Sequence, residues 1–86
     1  MPVLSRFFGI VIRMYFGDHD PPHFHAAYGE HEALIEIETL GIYRGTLPRR
    51  ALAMVLEWAV LRRGQLRRDW ELARRGEPPA PIEPLE

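Results

Sequence analysis

Three of the four histidines fall within seven positions, in the run Asp18-His19-Asp20-Pro21-Pro22-His23-Phe24-His25. Residues two apart on a strand point the same way, so a strand here sets His23 and His25 on one face and Phe24 on the other. Two chemistries suit such a set. A His-x-His pair joined by a third histidine or a carboxylate is a reasonable first-row metal site, and His19, His23 and His25 are the candidate ligands for a divalent ion. The alternative is general acid–base work on a phosphodiester. Two histidines, or a histidine and a tyrosine, move protons near neutral pH, while an arginine offsets developing phosphate charge. The bland alternative is a solvated face whose histidines only make surface hydrogen bonds.

The elements that must position these groups read as follows. Gly9–Phe16 is apolar and β-branched, as a strand is, with Ile10, Ile12, Met14 and Phe16 on one face and Val11, Arg13 and Tyr15 on the other. Residues 17–22 punctuate a loop, and Pro21-Pro22 stiffens it. His23–Tyr28 is a second strand, Ala33–Glu38 alternates as a third, and residues 42–45 form a short fourth. A hairpin turning at Glu30-His31 would pair Phe24 with Ile37 and Ala26 with Ile35 on the buried side. On the other face it sets His25 opposite Glu36 and His23 opposite Glu38. A slip of two keeps both carboxylates on the histidine face, whereas a slip of one buries them at high cost. Setting Phe16 beside Phe24 places Tyr15 next to His25. The expected open face therefore holds Arg13, Tyr15, His23, His25, Glu36 and Glu38, with His19 hanging over it. These seven residues are the candidate catalytic set. His31, in the turn, is expected to be exposed and idle.

A helical segment is expected from about Pro48, where proline suits the first turn, to residue 75. Leu52, Val55, Leu56, Ala59, Leu66, Trp70 and Ala73 draw one apolar stripe along it. Gly64 is a point where it bends or splits, and Gly76 suits its end. Residues 77–86 are proline-rich, either a frayed tail or an extended arm pinned by Ile82 and Leu85. Trp58 and Trp70 read as core or edge residues rather than stacking platforms.

Eighty-six residues make one domain. A chain of that size buries about 60–65% of its unfolded surface, enough for one sheet under one helix layer. There is no cysteine, so no disulfide scaffold. No apolar run approaches the roughly 20 residues of a membrane span, and Met1–Arg6 lacks a signal-peptide layout; the chain reads as cytoplasmic. The net charge is −1, unevenly spread. Residues 44–75 carry nine arginines, and lysine is absent altogether. Arg62, Arg63, Arg67 and Arg68 read as the wet face of the helix, or as a patch for RNA backbone or an acidic partner.

The order of the pieces FFGIVIRMYF, HDPPHFH, ALIEIE, LPRRAL, LEWA, DWELARRG and IEPL resembles a family of short bacterial proteins known only as a domain of unknown function. The resemblance covers nearly the whole chain, with HDPPHFH its most specific part. That family is similar in genomic habit to toxin–antitoxin modules, its genes lying beside a second small domain. The resemblance implies a small partner protein encoded by a neighbouring gene and a toxin activity, and it carries the expectation that His19, His23 and His25 matter.

The reading is an α+β domain over residues 1–76 with a tail at 77–86. Its three- or four-stranded, mainly antiparallel sheet has the C-terminal helical segment packed on one face. The expected function is one component of a two-gene toxin–antitoxin-like module, the toxin, acting on RNA or translation. The alternatives are a non-enzymatic regulator or partner-binding protein, and a metal-binding module.

Overall fold

In a computed structural model, which describes residues 2–86, five strands precede one long helix. β1 spans Val3–Phe7, β2 Ile10–Arg13, β3 His23–Tyr28, β4 His31–Glu36 and β5 Ile42–Gly45, and α1 runs Arg49–Arg74. The sheet is an antiparallel meander in the order β1-β2-β3-β4-β5. The α+β architecture is as expected, but the sheet has five strands rather than three or four. The additional strand is β1. It folds onto β2 through a two-residue turn, Phe8-Gly9, in which both residues have positive φ (50° and 80°). Glycine does this freely, phenylalanine rarely.

Alternation decides the layers. Ile10, Ile12, Met14, Phe24, Ala26, Ala33, Ile35 and Ile37 are all buried on the face that meets α1. From the helix, Ala51, Val55, Trp58, Ala59, Leu66, Trp70 and Ala73 complete the core. Trp58 anchors the two layers. Its ring lies 5.4 Å from that of Phe7 and meets that of Phe24 edge-on at 5.9 Å, contacts of about 0.5–1.5 kcal/mol each beyond the area they bury. Two aromatic residues that alternate in phase with the buried face lie outside the core. Tyr28, beside the β3–β4 turn, is 39% exposed, and Phe16, beyond the end of β2, is exposed as well.

The β3–β4 register differs by two from the expected pairing. The turn is Gly29-Glu30, with Gly29 at φ 58°, so Tyr28 pairs with His31, Phe24 with Ile35, His25 with Leu34 and His23 with Glu36. A tight two-residue turn needs a residue that accepts positive φ, and Gly29 supplies it. Because the slip is even, no side chain changes face. On the other side Arg13, rather than Tyr15, is paired with His25.

The helix departs from helical geometry at Arg62 (φ −115°, ψ 15°), two residues before the glycine expected to bend it. After Gly76 the chain does not fray: it forms the pinned arm. Ile82 donates its N–H to the Leu4 carbonyl at 2.7 Å, the Trp58 indole N–H donates to the Glu83 carbonyl at 2.7 Å, and the Ala80 N–H donates to Asp69 Oδ1 at 2.9 Å. Ile82 itself is 4% exposed. At the other end of the layer, Gly17 N–H reaches the Ala73 carbonyl, which ties the β2–β3 loop to the end of α1.

Candidate functional site

The β2–β3 loop turns back over the start of β3 and brings Asp18 to the two histidines. Asp18 Oδ2 lies 3.0 Å from His25 Nε2 and 3.0 Å from His23 Nε2. One ligand-capable atom from each of Asp18, His23 and His25 falls within 4.8 Å of the others. The side chains are progressively less covered: His23 is 1% exposed, His25 12% and Asp18 22%.

His23 and Asp18 are each oriented by a second group. His23 Nδ1 stands 2.7 Å from the Pro21 carbonyl. A carbonyl only accepts, so Nδ1 carries the proton and Nε2 faces Asp18. Asp18 Oδ1 accepts the His19 backbone N–H at 3.0 Å, which leaves Oδ2 for the histidines. His25 Nδ1 lies 3.4 Å from Glu32 Oε2 but makes no hydrogen bond. The two Asp18 contacts are not alike. His25 Nε2 is aligned for a hydrogen bond, whereas Oδ2 sits off the axis of His23 Nε2, and that buried nitrogen has no hydrogen-bond partner.

Burial pushes the Asp18 carboxyl up. The hydrogen bonds from His25 and the His19 N–H, with the nearby charge of both histidines, outweigh it and hold the group below the usual carboxylate range. Aromatic rings wall the histidines. Tyr15 meets His25 edge-on at 4.2 Å, and Tyr43 and Trp70 lie 5.4 Å and 5.3 Å from His23.

The expected site residues are therefore distributed as follows. His23 and His25 stand together with Tyr15, and Arg13 is paired beside His25. Glu36 is opposite His23. Glu38 lies past the end of β4 and is held by Arg67 of α1 in a bidentate pair, both bonds 2.7 Å. His19 is exposed and outside the cluster, contributing only its backbone N–H. The expectation that both histidines lie on an open face needs correction for His23, which the Trp70 ring helps to bury. Asp18, Tyr43 and Trp70 were not among the expected site residues. Asp18 carried one signal, its place at the head of a proline-stiffened loop leading into the His-x-His strand.

No helix among the described residues is long and apolar enough to cross a membrane. No curated protein and no solved structure matches the chain. A family model does, over residues 9–71, which takes in β2 to β5, the Asp18–His25 segment and most of α1. The chain belongs to the family described as a domain of unknown function, DUF4160.

Proposed function

We propose that the histidine face of the sheet binds and acts on a phosphodiester of RNA, and that the domain is the toxin of a two-gene toxin–antitoxin-like module. The observation that carries this reading is one cross-strand row. Arg13, His25, Leu34 and Arg44 are successive partners on β2, β3, β4 and β5. Strands lie about 4.8 Å apart, so one guanidinium stem springs about one spacing from His25 and the other about two. Two arginines spaced about a histidine suit a phosphate: they neutralise its charge while the imidazole, backed by Asp18, transfers a proton. Tyr15 and Tyr43, flanking the histidines, suit the stacking of unpaired bases.

The test is inducible expression in a bacterial host with and without the neighbouring gene, beside cleavage and binding assays on single-stranded RNA. Arg13→Ala and Arg44→Ala should each relieve growth arrest and weaken RNA binding, with the fold intact by circular dichroism. Unchanged toxicity in both, or no toxicity at all, removes the reading.

A partner-binding regulator is the second reading, favoured by the helix cations. Arg67 is engaged by Glu38, and Arg63 donates to the Ile37 carbonyl. Arg68 and Arg74 are exposed and form no ion pair among the described residues, which suits an acidic partner surface. Under this reading a double charge reversal there, not the histidines, abolishes the interaction, and added salt mimics it.

A further inference from the structure

We infer that Asp18, His23 and His25 form a binding site for one divalent first-row transition-metal ion, ligated through Asp18 Oδ2, His23 Nε2 and His25 Nε2. The inference stands on ligand geometry and does not need RNA binding; an ion held there would occupy Asp18 Oδ2 and His25 Nε2 and so replace the proton transfer assigned above to His25. Bonds of about 2.1 Å meeting at a right angle leave their ligand atoms about 3.0 Å apart. That is the separation of Oδ2 from both histidine nitrogens. The spacing is tighter than a tetrahedral site gives and suits ligands at right angles, with the remaining positions left to water or substrate.

The supporting atoms point the same way. Metal-bound histidines hand their other ring N–H to a carbonyl or carboxylate, which fixes tautomer and ring orientation, and bound carboxylates are themselves hydrogen-bonded. Two of these supports are present, the Pro21 carbonyl for His23 and the His19 N–H for Asp18; Glu32 Oε2 stands 3.4 Å from His25 Nδ1 without a hydrogen bond. The most pointed observation is His23 Nε2. It is buried without a hydrogen-bond partner, and Oδ2 lies close but off its axis. An unpartnered buried polar atom is costly. A cation placed on that axis would satisfy the nitrogen and the carboxylate together, with Oδ2 displaced sideways as it is here. Two nitrogens and one carboxylate oxygen are ligands for borderline ions, not for calcium or magnesium. His19 is not in the set.

The test uses the full chain without an affinity tag, stripped with EDTA and titrated with Co2+ and then Zn2+. Calorimetry gives stoichiometry, and the visible spectrum of bound Co2+ reports its coordination. One equivalent should bind, and melting should shift upward with metal. Asp18→Asn and His25→Ala should each weaken binding by about tenfold or more while the metal-free protein keeps its circular dichroism. His31→Ala, at an exposed turn position, should bind like the parent. His23→Ala removes a fully buried ring, so its own melt is measured; if it does not fold, the Asp18 and His25 variants decide. The inference is overturned if neither ion binds the folded protein at stoichiometric concentration. It is equally overturned if Asp18→Asn and His25→Ala leave affinity unchanged, or if His19→Ala weakens binding as much as His25→Ala does.

Discussion

Replacing Ile82 by alanine tests whether the C-terminal arm is part of the fold. The side chain is buried against the core although it follows three prolines in a segment without regular structure. Removing a buried isoleucine to alanine costs about 2–5 kcal/mol, the lower end applying where neighbours can close in. An arm at the surface can shift, so about 2–3 kcal/mol is expected at this position. A domain of this length has roughly 4–13 kcal/mol in total, so the loss is a large fraction of its stability. It should lower the melting temperature by about 8–24 °C. A second readout separates arm release from a general loss of stability. The Trp58 indole donates to the Glu83 carbonyl one residue beyond Ile82. If the arm lifts, that indole meets water, and the native-state emission should shift to the red before any unfolding. Thermal melts and tryptophan spectra of Ile82→Ala beside the parent settle the matter. A destabilisation under about 0.5 kcal/mol with unchanged emission would show that the arm contributes nothing.

Gly45→Ala should destabilise strongly in urea titrations, because Gly45 has φ of 80° and a β-carbon there would collide with the Glu32 carbonyl; Gly64→Ala, which meets open space, should be neutral or stabilising. Asp69 gives a pH signature. Burial raises its carboxyl above the usual range, against the opposing pull of the Ala80 N–H and Arg68. The folded state therefore holds this proton more tightly than the unfolded chain, and stability should fall as pH rises from the ordinary carboxylate range through the raised value. Asp69→Asn keeps the acceptor for Ala80 and should flatten that fall. The exposed Glu38–Arg67 pair should matter little: Arg67→Ala should leave the melt nearly unchanged at 0.5 M salt, measured by circular dichroism.

Alternation in residues 23–28 and 33–37 was enough to assign Phe24, Ala26, Ile35 and Ile37 to the core, and the helix stripe to its facing layer. Period-two and period-3.6 patterns are local, and burial on one face reinforces them. The β3–β4 register was legible only to within two residues, since either pairing keeps the same faces and only the turn distinguishes them. β1 escaped notice because its turn uses Phe8 at positive φ, which no residue preference announces. The site divides along the same line. His23, His25 and Tyr15 follow from strand geometry. Asp18 depends on a loop folding back, and the cover over His23 depends on Trp70 arriving from the far end of α1. Neither of those contacts has a sequence period.

The meander also orders events in time. Every strand pairs with the one before it in the chain, so the sheet can zip up through short loop closures as each segment becomes available. The bond from Ile82 to Leu4 is of another kind, joining opposite ends of the described chain. Its closure entropy is recovered only once both layers are in place. The arm is thus a final latch, and in a pulsed hydrogen-exchange refolding experiment the Ile82 amide should gain protection after those of β2 to β4.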